Sequence, residues 1–190
     1  VLTSLQTTPA LKEWQVAVEA LERGETILLL RKGGIREVGG RFQVAHDRVL
    51  LYPTFEHQQP DLLKPAYAAQ VQPVRSGWHP DNVRIGSWAI ITDTLQVTQS
   101  TQLAALLPFH IWNERFVTER FAWKPSQPLY VLLLRVFRLA TPHQIPYDAR
   151  YGGCKSWIEL MHPIALNDAT PVLSEAAFEQ QVNSIRAHCA

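Results

Sequence analysis

The chain is poor in the residues that announce a mechanism. It has two cysteines in 190 residues, Cys154 and Cys189, too few for a disulfide framework or a four-thiolate zinc site. Charged residues make up 18%, below the roughly 25% of an average globular chain. Lys plus Arg number 18 against 17 Asp plus Glu, a formal charge of +1. That balance excludes a histone-like polycation and an acidic solvating tail. No apolar run approaches the ~18 residues of a membrane span, and no charged-then-apolar leader is seen. A reducing, cytoplasmic setting is the expectation.

Catalytic signatures are missing too. None of the nine glycines stands one residue from another across a gap, so there is no G-x-G-x-x-G, and no phosphate loop, H-E-x-x-H, C-x-x-C or G-x-S-x-G elbow occurs. The residues two before the five lysines are Ala10, Leu30, Leu62, Ala122 and Gly153. None is acidic, which excludes a nuclease that pairs a carboxylate and a lysine around a metal. No metal site and no cofactor is expected.

What is present suits a folded core: 46% of residues are hydrophobic. Thr8, Pro9 and the spacing of Leu11, Trp14, Val18 and Leu21 predict an opening helix stopped by Gly24. Thr26 to Leu30 reads as a buried strand, Arg41 to Val44 as a half-exposed one, and Val49 to Tyr52 as a third closed by Pro53. Between Phe55 and Ser76, Leu62, Leu63, Tyr67 and Val71 could line a helix only with Pro65 in its first turn. Val83 to Val97 predicts two strands bent near Thr92 to Thr94, and Pro108 to Thr118 a helix. Leu129 to Leu139 and Trp157 to Leu160 predict further strands, and 174–188 a final helix on Phe178, Val182 and Ile185. The expectation is one α+β domain over 1–190, with a small mixed or antiparallel sheet flanked by helices.

Three segments carry candidate chemistry. Arg31-Lys32-Gly33-Gly34 puts two cations before a glycine turn whose N–H groups can nest an anion. Thr54, Glu56 and His57 follow a strand end, where Glu56 could orient His57 for acid–base work if a loop brings them together. In Gly152-Gly153-Cys154-Lys155-Ser156-Trp157, paired glycines permit close backbone approach beside a cation and a ring. Cys154 is a thiol nucleophile only with a histidine near it, His143 and His162 being candidates. From Arg115 to Lys155, seven cations face only Glu119 and Asp148, interleaved with rings such as Trp123 and Trp157. Rings that stack on bases and cations that hold phosphates are the needs of a single-strand binder.

The blocks Ala10-Leu11-Lys12-Glu13-Trp14, Leu29 to Ile35, Leu51-Tyr52-Pro53-Thr54 and Glu56-His57-Gln58 resemble domain-of-unknown-function family 1802, over about 10–160. The resemblance implies a bacterial setting and no mechanism. The order of elements, with Arg48 to Tyr52 and Tyr130 to Leu139, is similar to PUA-like pseudobarrels, particularly ASCH and EVE domains. That likeness implies recognition of RNA or a modified base, and in a few members hydrolysis of a nucleoside.

Three functions are compatible with these features. The first is a nucleic-acid or nucleotide-binding module, with a ligand held by Arg31, Lys32, Gly33, Gly34, Trp123, Gly152, Gly153, Lys155 and Trp157. The second is a metal-independent hydrolase of a nucleoside or small phosphorylated ligand, using Lys32, Thr54, Glu56 and His57. The third is an assembly factor that binds a protein partner through Trp78, set in a surface turn.

Overall fold

The computed structural model describes residues 5–32 and 42–189. Its sheet comprises β1 (Gln6–Trp14), β2 (Leu28–Arg31), β3 (Arg48–Thr54), β4 (Asn82–Val97), β5 (Leu129–Pro146), β6 (Trp157–Ala165) and β7 (Thr170–Pro171). The order is β2-β5-β4-β3-β1-β6, with β7 also against β5. β1 and β3 run parallel, and the other described pairings are antiparallel. The described helices are α1 (Gln15–Glu22), α2 (Pro65–Ala68), α3 (Ser100–Leu106), α4 (Glu114–Ala122) and α5 (Glu175–Cys189). The class is α+β with a mixed sheet, as the sequence pattern implies. No described helix is long and apolar enough to cross a membrane.

Both faces of the sheet are covered. In β3, Val49 and Leu51 enter the core beneath the helices, while Leu50 and Tyr52 enter a second core with Trp88, Leu139 and Ile158. Burial on two faces explains why β2, β3 and the first half of β5 are continuous apolar runs. The sheet also curls. Arg31, on edge strand β2, donates from Nη2 to the Lys12 carbonyl on β1 at 2.6 Å, although β5, β4 and β3 lie between them in the order.

Several elements differ from the pattern. The expected opening helix is a strand up to Trp14, and only Gln15–Glu22 is helical. β1 lies between β3 and β6, so Ala10 and Leu11 are buried on opposite faces, and the ladder to β6 shifts between Thr7 and Pro9. Proline has no N–H to give a ladder and is tolerated at such an irregularity. Phe42 to Val44 forms no strand, and Arg41 lies outside the described residues. Phe42 is instead buried by stacking on Trp157 at 5.9 Å, so its burial needs no paired backbone.

β4 is one strand, not two. Its register against β5 shifts between Ile91 and Asp93, so the bend is a bulge. The helix expected from Pro108 begins at Glu114, because the Asn113 side chain accepts from the Phe116 N–H at 3.0 Å and fixes the start. Pro65 does open a helix, the single turn of α2. α3 was not anticipated: its capping box is made by Gln99 and Gln102, outside the usual Ser, Thr, Asp and Asn set.

Candidate ligand-binding cleft

A cleft of about 820 Å³ opens where the C-terminal ends of β1, β2 and β3 meet α4 and the segment before β6. Two features of the fold place it there. Parallel pairing sets the ends of β1 and β3 side by side, and the curl brings the end of β2 to them. Five of the six tryptophans line it: Trp14, Trp78, Trp112, Trp123 and Trp157. So, among the described residues, do five cations, Lys12, Arg31, Lys32, Arg120 and Lys155, against two carboxylates, Glu13 and Glu56. The cleft therefore carries a positive surplus that the chain as a whole lacks.

One wall is built by α4 and the extended residues before it. Trp112 stacks on Phe116 at 5.1 Å, and the Arg120 guanidinium lies over the same ring at 4.9 Å. Trp112 is 1% exposed, and its Nε1 is buried without a hydrogen-bond partner among the described residues. Arg31 forms an ion pair with Glu13 at 3.1 Å, which leaves its Nε buried and without a partner among the described residues. Lys32 donates to the Phe121 carbonyl. Burial pulls the Lys32 ammonium and the Arg120 guanidinium below their usual ranges, because desolvation disfavours the charged form.

The opposite rim is the Gly152-Gly153 turn. Gly153 has φ +79°, a left-handed conformation that glycine adopts freely. A Cβ on Gly152 would come within 2.9 Å of the Tyr147 hydroxyl. The cation that holds this turn is Lys12, whose Nζ donates to the Tyr151 and Gly153 carbonyls at 2.6 and 2.8 Å. Lys155, counted above among the ligand-holding residues, donates to the Arg150 carbonyl at 3.2 Å. Trp157 is held by Phe42, which stacks on it, and by its Nε1, which donates to the Gln43 carbonyl. Tyr52 stands behind the turn with its hydroxyl buried and without a partner among the described residues, and burial raises its pKa.

At the mouth, a turn brings Glu56 and His57 together, Oε1 to Nε2 at 3.2 Å. His57 makes this possible by taking φ +68°. The same Glu56 oxygen accepts from the Gly77 N–H at 2.7 Å and the Ser76 hydroxyl at 3.1 Å. These bonds, the Gly77 N–H first, hold its carboxyl below the usual range. Thr54 donates to the Glu13 carbonyl at 3.0 Å. Trp78 packs edge-on against Phe55 at 5.6 Å, and Trp123 is half exposed.

All the candidate site residues within the described chain thus line one cleft; Gly33 and Gly34 lie outside the described residues. Cys154 lines it as well, but His143 and His162 do not. The basic and aromatic stretch is not one face. Arg115 pairs with Asp61 and Glu119, Arg135 with Glu175, and Arg150 with Asp148; Arg138 holds the Glu22 carbonyl. Strands send alternate side chains to opposite faces and helices spread theirs around the axis, and only Arg120 and Lys155 of these cations reach the cleft. Lys12, Glu13 and Arg120 were not singled out from the sequence. The signal for Arg120 was its four-residue spacing from Phe116, which stacks the two side chains along α4. Among the described residues no group of three or more His, Cys, Asp or Glu could hold a metal ion.

Fold and cleft together define an α+β protein whose strand ends form an aromatic, basic pocket. The chain belongs to the family described as Domain of unknown function (DUF1802), whose model matches residues 10–184. No curated protein matches it. Among solved structures it is similar to a serine-to-alanine mutant of an ASCH protein from Zymomonas mobilis, 13% identical over 95% of this chain and 98% of that one, with a TM-score of 0.48. It is also similar to the unmutated ASCH protein of that organism, 14% identical over 93% of each chain, with a TM-score of 0.46. No residue role is carried over from them.

Proposed function

We propose that the chain is a binding module for a nucleotide or a short single-stranded nucleic acid, held in this cleft. The observation that carries the reading is the joint lining of one 820 Å³ cleft by five tryptophans and five cations. Rings stack on bases whatever their sequence, and cations hold the phosphates. The volume suits a small ligand.

Hydrolysis is the second reading, and the Glu56–His57 contact at the mouth favours it. Binding is better supported because the acid–base set is engaged elsewhere. Thr54 and Lys32 are tied to backbone carbonyls, and Glu56 straps the Gly77 loop. Trp78, on the cleft wall against Phe55, is likewise better suited to meeting a ligand than a protein partner.

Tryptophan fluorescence tests the proposal, since most of the signal arises at the cleft. Titration with nucleotides and short single-stranded RNA and DNA should quench emission, with affinity falling steeply as salt rises. No quenching and no binding by calorimetry at low ionic strength would refute it.

A further inference from the structure

One end of the cleft holds more positive charge than the fold uses. Arg31 and Glu13 are paired, Glu13 being 8% exposed. Arg120 is close enough to feel both, attracted by Glu13 and repelled by Arg31, and Lys32 in turn feels Arg120. Among the described residues, three cations therefore share one carboxylate, a surplus of two charges in a poorly solvated place. Uncompensated buried charge is costly. The carboxylate does not use up the donors either. Arg31 Nε has no partner, Arg120 meets the Phe116 ring but no hydrogen-bond acceptor among the described residues, and Trp112 Nε1 on the same wall is unpartnered.

We propose that Arg31, Lys32 and Arg120 form a subsite for a phosphate monoester, the terminal phosphate of a nucleotide or of a phosphorylated strand end. The inference rests on the nucleotide-binding reading and adds which phosphate is recognised. A monoester carries about −1.5 to −2 charge near neutral pH and three acceptor oxygens, which matches the surplus and the idle donors. An internal phosphodiester carries a single charge and leaves half of that surplus unmet. Guanidinium groups suit this task because their planar forks match phosphate oxygens. Glu13 sets the size of the surplus: it holds Arg31 in place and cancels one charge of three.

The test compares adenosine with adenosine 5′-monophosphate, and a short oligoadenylate ending in a 5′-hydroxyl with the same strand 5′-phosphorylated, by calorimetry. The monophosphate should bind roughly tenfold to a hundredfold tighter than adenosine, the effect of one or two charge-assisted bonds. A matching gain for the phosphorylated strand identifies strand ends as ligands; a gain confined to the mononucleotide identifies free nucleotides. Arg120→Gln, which removes a side chain that holds no hydrogen bond among the described residues, should reduce the gain to about twofold or less. If that variant does not fold, Glu13→Gln raises the surplus to three while keeping an acceptor for the Trp14 N–H, and should tighten the monophosphate. Equal affinity for adenosine and its monophosphate overturns the subsite and leaves the cleft reading standing. No binding of any of the four overturns both. A gain that survives Arg120→Gln in full, or a monophosphate that Glu13→Gln fails to tighten, also overturns the subsite.

Discussion

Acid should destabilise this chain through a histidine that takes no part in the cleft. His110 is 3% exposed, and neither ring nitrogen makes a hydrogen bond of good geometry among the described residues, the backbone of Trp112 giving only a weak opposing contact. Burial first, and the ammonium of Lys64 second, lower its pKa from 6.5 to about 4. The unfolded chain takes up a proton near 6.5, while the folded chain refuses it until about 4. Within that window the unfolded state binds more protons, so stability is complete above the upper value and falls as pH drops toward the lower one. A gap of 2.5 pH units (6.5 minus 4) corresponds to about 3 kcal/mol, of which about 2.5 kcal/mol is lost by pH ~4.5. Against a typical total of about 5–15 kcal/mol, that is a large share. Urea unfolding of wild type and His110→Phe at neutral pH and near pH ~4.5 isolates the effect, because the carboxylates contribute equally to both proteins. The phenylalanine variant should lose about 2.5 kcal/mol less on acidification. Equal losses would show that His110 is protonated in the folded state, and the argument from burial would fail.

Gly24→Ala should cost about 1–2 kcal/mol, because Gly24 has φ +72° and its new Cβ would lie 2.8 Å from Leu173 Cδ2; an unchanged melting temperature would contradict this. Asn113→Ala removes the cap of α4 and two bonds to the Asp61 and Leu63 carbonyls, with an expected loss of about 1–2 kcal/mol in thermal melts. That variant should also weaken ligand binding, since α4 carries Arg120, and full retention of both properties would speak against the assigned cap. Glu56→Ala frees the Gly77 N–H and the Ser76 hydroxyl and should speed limited proteolysis near Gly77 while changing global stability by less than about 1 kcal/mol. An unaltered cleavage pattern would mean that the loop is held by other contacts.

How far the sequence could be read depended on where each element finds its partner. β2, β3 and the start of β5 were legible because burial on both faces writes a continuous apolar run. β1 was not. Leu11, Trp14, Val18 and Leu21 fall at helical spacing by coincidence, and what makes 6–14 a strand is pairing with β3 and β6, which no local window contains. The cleft was half legible for a related reason. Paired glycines beside cations pointed to Arg31, Lys32, Gly152, Gly153 and Lys155, all of which come to one place within the described chain or border it. Their partners were hidden by the misread element: on a surface helix Lys12 and Glu13 look like solvated charges, whereas on β1 one clasps the Gly153 turn and the other pairs with Arg31. Even the cations correctly located were expected to be free, and Lys155 and Lys32 are engaged by carbonyls.

The position of β1 has a consequence for how the chain is made. Pro9 pairs with Glu159, 150 residues later (159 minus 9), while its other edge waits for β3. Until β6 leaves the ribosome, β1 has one bare edge, a row of unpaired N–H and C=O groups open to any extended segment nearby. Closing so long a loop is slow, because its entropy is lost before the contacts reward it. The cleft takes residues from Lys12 through Trp157, so it too is assembled only at the end. A nascent chain stalled before β6 would therefore be prone to aggregate and unable to bind, and a ligand able to rescue folding could act only on the nearly finished chain.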